Sequence, residues 1–159
     1  MDTVHEDGSV GKIEIKEFDK VKKGYTYFAD NDILFAKITP CMENGKGTLV
    51  RSLHNGVGYG STEFFVIRPK EQSDELFLYY LTMSRAFRNR AERWMQGTAG
   101  QRRVPKDFFI KRPIAIPLAE EREKIGKLFD DIETNIQYSK NMYLKAGQML
   151  SSLIAFHLG

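Results

Sequence analysis

The chain has 159 residues, 42% of them hydrophobic and 12% aromatic, and a formal net charge of +3. This suits one folded domain with its own core and room for an appendage, and excludes a disordered polymer. No apolar run approaches the roughly eighteen residues of a membrane span, the polar start MDTVHEDGSVGK is not a secretory signal, and the single cysteine, Cys41, excludes an internal disulfide, so a cytoplasmic protein is expected.

In chain order, Lys12–Phe18 (KIEIKEF) alternates apolar and charged residues, the period of a half-exposed strand. Asp32–Thr39 reads as a more buried strand. The loop after it holds Pro40, Cys41, Asn44 and Gly45, a turn that needs a positive φ. Gly47–Leu53 is the next strand, the glycine-rich His54–Ser61 a turn, and Thr62–Arg68 a strand stopped by Pro69. Short strands with glycine turns argue antiparallel β structure.

From Ser73 or Asp74 to about Met95 the pattern becomes helical. Leu76, Tyr80, Met83, Phe87, Ala91 and Trp94 recur three or four apart, with Ser73 as N-cap and Gly97 past the end. Gly97–Pro105 is a loop, followed by a helical turn (KDFF) and a strand (KRPIAI). Pro117 precedes a helix from about Glu120 to His157, about 55 Å long. Along it Ile125, Phe129, Ile132, Ile136, Tyr143, Ala146, Leu150 and Leu153 form a heptad seam, with Ser139 and His157 as weak members. Such a rod is too long to pack wholly on a domain of this size and should project towards another helix. The expected class is α+β: a β-rich domain over residues 1–118 with packed helices, then a coiled-coil helix over 119–159.

Charge is unevenly distributed. Between Ser84 and Arg112, nine basic residues (Arg85, Arg88, Arg90, Arg93, Arg102, Arg103, Lys106, Lys111, Arg112) oppose only Glu92 and Asp107, a local +7 in a chain of +3. A cationic patch on a near-neutral protein suggests a polyanion such as nucleic acid; a solvated helix face is the plainer alternative.

Catalytic signals are weak. His5, His54 and His157 lie far apart and none has a neighbour at metal spacing. Glu14–Lys16 (EIK), with Asp7 upstream, has the local shape of a magnesium-dependent nuclease site, although an exposed strand shows the same alternation. No base can be placed beside Cys41 as a nucleophile. The loops read better as a base-reading surface. Asn and Gln pair with adenine, Arg and Lys with guanine, and Glu accepts from cytosine, which fits Lys37, Glu43, Asn44 and Lys46 in one loop and Gln101, Arg102 and Arg103 in the other.

Four blocks in series, YFADNDILFAKITPCMENGKG, GYGSTEFFVIRP, GTAGQRRVPKDFF and IPLAEEREKI, resemble the specificity subunit of type I restriction-modification systems, from about Lys22 to the end. The resemblance implies target recognition domains that each read half of a bipartite DNA sequence. Long helices join them in an antiparallel coiled coil that sets the half-site spacing. Methyltransferase and restriction subunits assemble on this frame, and S-adenosylmethionine, ATP and Mg belong to them; the specificity subunit itself is non-catalytic and holds no cofactor or metal. Carried onto this chain, the DNA-contacting set is Lys37, Thr39, Glu43, Asn44, Lys46, Ser61, Thr62, Gln101, Arg102, Arg103 and Lys106. Two departures stand out. Glu121 follows PLAE where the family usually has glutamine. The chain carries one recognition domain and one helix rather than two of each, and the family has more strand sequence before DILFAKI. A half-subunit or fragment is therefore expected, and a half-subunit would pair its seam antiparallel with a second copy into a twofold homodimer.

Overall fold

A computed structural model describes residues 1–98, 100–111 and 113–158. Ala99 of the GTAGQRRV block and Arg112 of the basic cluster lie outside the described residues. The fold is α+β. Strands β1 (Thr26–Ala29) and β4 (Val57–Gly60) form an antiparallel pair, and β2 (Ile33–Ala36) lies between β3 (Gly47–Leu49) and β5 (Phe64–Ile67) in an antiparallel three-stranded sheet. Helices α1 (Phe18–Val21), α2 (Glu75–Met83), α3 (Arg85–Glu92) and α4 (Asp107–Lys111) surround these sheets, and α5 (Ala119–Leu158) closes the chain.

Strand β2 explains the core. All four of its residues are buried, which is why it reads as an unbroken apolar run. Phe35 packs on one side with Met42, Phe87, Ala91, Val104 and Phe108; Leu34 and Ala36 pack on the other with Val4, Val50 and Phe64.

Four expected elements differ. Lys12–Phe18 forms no strand: Ile13 and Ile15 are 56% and 77% exposed, no neighbouring strand takes up their backbone groups, and Phe18 opens α1. Alternation expresses itself as a strand only where an edge is available to pair with. Within the glycine-rich His54–Ser61 segment, Val57–Gly60 is a strand, and its partner Thr26–Ala29 was not anticipated. The Phe28 ring lies across Gly58 and Gly60, and a Cβ at Gly60 would stand 3.0 Å from it, so these glycines make room for a cross-strand aromatic instead of a turn. The single helix expected over 73–95 breaks at Ser84, whose extended backbone separates α2 from α3 and whose hydroxyl accepts the Phe87 N–H at 3.2 Å. Ser73 is not a cap; its hydroxyl turns to Glu71. Among the described residues KRPIAI contains no strand: Lys111 ends α4, and Pro113 and Pro117 remove backbone donors.

Helix α5 docks on α2 through its first turns. Arg122 donates to Asp74 at 2.6 Å and to the Pro117 carbonyl at 2.7 Å. Tyr80 donates to Asp130 at 3.1 Å. Gly126 lets the helices meet closely, because a Cβ there would lie 2.7 Å from Leu76 Cβ and 2.9 Å from the Phe77 nitrogen. Among the described residues no helix is long and apolar enough to cross a membrane.

Asp32 ties β2 to β5. Only 1% exposed, it accepts both forks of Arg68 at 2.7 Å and the Ala29 N–H at 2.7 Å. Burial alone would push its carboxyl upward, but the Arg68 and Ala29 hydrogen bonds outweigh it and hold the pKa below the ordinary value. The resulting stability is full above the ordinary carboxylate range and disappears as pH falls through the depressed native value. Because Arg68 is 60% exposed and solvent screens it, Asp32→Asn is expected to cost about 2 kcal/mol in urea unfolding at neutral pH. The gap from wild type should narrow in acid.

Candidate nucleic-acid interface

Where β2 ends, the chain wraps into a compact loop. Met42 N–H bonds the Ile38 carbonyl at 3.0 Å, Asn44 N–H bonds Pro40 at 2.9 Å, and Lys46 N–H returns to Cys41 at 2.9 Å. Gly45 takes the positive φ, +91°. Arg88 fastens the loop from beneath. It donates to the Met42 carbonyl at 2.8 Å and the Lys46 carbonyl at 3.3 Å, and its guanidinium lies 4.8 Å from the centre of the Phe35 ring. This corrects the sequence-based charge picture, in which Arg88 belonged to a surface patch. It is 5% exposed, and burial lowers its pKa to about 10 while leaving it charged at neutral pH. Next to Phe87 on α3, it faces carbonyl groups rather than water.

The second loop is stitched to the first through the backbone. Gln96 and Arg103 exchange hydrogen bonds at 2.9 and 2.8 Å, Thr39 N–H reaches the Arg102 carbonyl at 3.0 Å, and Val104 N–H reaches Lys37 at 2.8 Å. A third turn joins them: Lys37 N–H bonds the Glu63 carbonyl at 2.9 Å, and the Ser61 hydroxyl accepts the Glu63 N–H at 3.2 Å. Residues 26 to 67 positions apart therefore share one face. Lys37, Thr39, Glu43, Ser61, Thr62, Gln101, Arg102 and Arg103 all fall on these three segments. Asn44 and Lys46 occupy the other arm of the first loop, where Gly45 approaches the Glu6 carbonyl, and no hydrogen bond or ion pair among the described residues ties their side chains to the second loop. Lys106 is exposed just ahead of α4.

Pairing tempers the charge of this face. Glu63 holds Arg103 through Nε at 3.0 Å and the terminal nitrogen at 2.9 Å, and the Arg103 hydrogen bond keeps the Glu63 carboxyl below its ordinary pKa. Arg102 lies 3.6 Å from Glu43 and 4.0 Å from Glu92. One Glu43 oxygen accepts the Thr39 hydroxyl at 2.8 Å; the other is buried and has no hydrogen-bond partner among the described residues. Lys37 stands 5.2 Å over the Phe65 ring. Arg85, Arg90, Arg93 and Lys106 enter no ion pair among the described residues. The role of Glu63 escaped sequence reasoning because its partner lies forty positions away; its only local signal was a carboxylate opening an otherwise apolar strand.

The carboxylates of the nuclease alternative are engaged elsewhere. Asp7 accepts the Ser9 N–H at 3.0 Å and hydroxyl at 2.6 Å, and Glu14 pairs with Lys16 at 2.9 Å. Among the described residues no group of three His, Cys, Asp or Glu is placed to hold a metal ion. Cys41 is a half-buried free thiol.

The family model for the type I restriction modification DNA specificity domain matches residues 3–145, which takes in all three loop segments. The chain belongs to this family. It is 46% identical over 122 residues to the type I restriction enzyme EcoEI specificity subunit of Escherichia coli and 48% identical over 122 residues to the EcoAI specificity subunit of the same organism. Each match covers 75% of this chain and 20% of the relative, so the chain spans about a fifth of the length of these curated relatives.

In this specificity domain the heptad seam of α5 stays open. Docking on α2 uses the neighbouring row Arg122, Gly126, Asp130, and from the seam Phe129, whose ring meets Tyr80. Ile125 is half-buried, whereas Phe129, Ile132, Ile136, Tyr143, Leu150 and Leu153 are 43–81% exposed and Ala146 is also exposed. A second exposed row, Leu128, Met142, Met149 and Phe156, runs beside it at heptad spacing. That broadens the apolar stripe to three positions in seven, the width of a helix that packs in a bundle and not only against one partner.

Proposed function

We propose that this chain is a non-catalytic DNA-recognition module that reads one half of a bipartite target on double-stranded DNA in the cytoplasm. Its α5 pairs antiparallel with a second copy and docks methyltransferase subunits, on which a restriction subunit assembles; S-adenosylmethionine, ATP and Mg act in those partners. The supporting observation is the backbone stitching of three loops into one rigid face rich in hydrogen-bonding side chains. Rigid presentation of such groups is what direct readout of base edges requires.

Duplex binding at increasing salt tests this. Log affinity should fall against log salt with a slope near −0.9 per phosphate neutralised. Lys106→Ala should weaken all duplexes alike and flatten the slope by about 1, whereas Gln101→Ala and Arg102→Ala should each relax preference at particular base pairs by about 1–3 kcal/mol. Equal, salt-insensitive binding to every duplex would instead favour a protein-interaction module built on α5. The pairing of Arg102 and Arg103 with carboxylates is the observation on that side.

A further inference from the structure

Arg103 is held unlike any other cation on the loop face. Its guanidinium has five N–H donors. Nε and one terminal nitrogen bond Glu63 at 3.0 and 2.9 Å, and the other terminal nitrogen bonds the Gln101 carbonyl at 3.0 Å. One N–H remains on each terminal nitrogen. Both ends of the assembly are fixed to the segment just beyond β2, Arg103 through its backbone bridge with Ile38 and Glu63 through its carbonyl bond from Lys37. The pair is still open to solvent, with side chains 42% and 26% exposed.

We infer that Glu63 is a specificity-determining positioning residue that holds Arg103 for bidentate recognition of a guanine edge. This rests on the DNA-recognition reading above and deepens it. Two N–H groups on neighbouring nitrogens match the paired N7 and O6 acceptors that guanine presents in the major groove. A phosphate is the poorer ligand, because the Glu63 carboxylate already neutralises the guanidinium and would repel a second anion. A neutral acceptor pair incurs no such repulsion. Glu63 freezes an otherwise flexible side chain before DNA arrives, which removes part of the ordering cost of binding. Arg102 lacks this fixation, since its nearest carboxylate oxygens stand at 3.6 and 4.0 Å.

Selection from a randomised duplex library with the full chain tests the inference, using wild type, Glu63→Gln and Arg103→Lys. Arg103→Lys keeps the charge but loses the fork. Wild type should enrich a motif containing a guanine that both variants cease to demand, each losing about tenfold or more in discrimination at that same base pair. Preference elsewhere in the motif should persist. Loss confined to the base pair that Arg103→Lys also relaxes, at an unchanged melting temperature, is what a merely structural role would not produce. If wild type enriches a motif and either variant keeps its guanine preference, or the two relax different positions, the inference fails while DNA recognition stands. Uniform weakening by Glu63→Gln in parallel with a lowered melting temperature would mark Glu63 as structural only and would also overturn it. If wild type enriches nothing, the DNA-recognition reading fails and takes the inference with it.

Discussion

Arg88→Ala is expected to destabilise the protein by about 3–4 kcal/mol in urea unfolding. Two costs combine. Truncation opens a void beside Phe35, Gly47 and Met83, and it strips the Met42 and Lys46 carbonyls of their charged donor. Exposed arginines of α3 such as Arg85 and Arg90 offer a control, since replacing them should change stability by about 0.5 kcal/mol or less. Arg88→Met separates the two costs, because it refills the void but leaves the carbonyls orphaned. Hydrogen exchange should quicken at the amides of Met42, Asn44 and Lys46, whose bonds define the loop. A loss below about 1 kcal/mol for Arg88→Ala would mean that water satisfies those carbonyls and that the clamp is dispensable.

Dimerisation through α5 is expected to collapse on placing charges in the seam. In sedimentation velocity at tens of micromolar the wild-type chain should run as a dimer, and the double variant Leu150→Lys, Leu153→Lys as a monomer. Both leucines are more than half exposed, at 60% and 55%. Burying a leucine is worth about 1.5–3 kcal/mol, and a twofold dimer would bury four, so the dissociation constant should rise on the order of a thousandfold or more. The urea midpoint of the β domain should hardly move, which separates assembly from folding. A wild-type monomer at these concentrations would show that the open stripe serves other subunits and not a second copy. The exposed row of Leu128, Met142, Met149 and Phe156 would then be the natural extension of that docking face.

Much of the architecture was legible from local pattern. Strand β2 announced itself as an apolar run, α5 as an uninterrupted helical stretch with a heptad seam weakened at Ser139 and His157, and Gly45 as a turn residue needing positive φ. Each of these depends on periodicity or on the conformational range of a single residue, which neighbours a few positions away already determine. The misreadings have two origins. Lys12–Phe18 alternates like a strand but meets no edge; Val57–Gly60 looks like a turn but accommodates the Phe28 ring; Ser84 sits inside a helical stripe but takes an extended conformation and caps a new helix. For the first two the deciding partner, or its lack, lies outside the window in which sequence patterns act; Ser84 caps Phe87 only three residues on, a local signal hidden inside the continuous apolar stripe.

The candidate site divides along the same line. Sequence alone determined which side chains could address DNA, because hydrogen-bonding capacity belongs to residue type, and it determined that the last forty residues form a rod with an apolar stripe. Only the tertiary structure decided that the loops beginning at Lys37 and Gln96 are stitched into one face, that Arg88 is a buried strut instead of a surface charge, and that Glu63 grips Arg103. Burial and pairing depend on which distant segments the fold brings within about 3 Å, and no local pattern of charges encodes that distance.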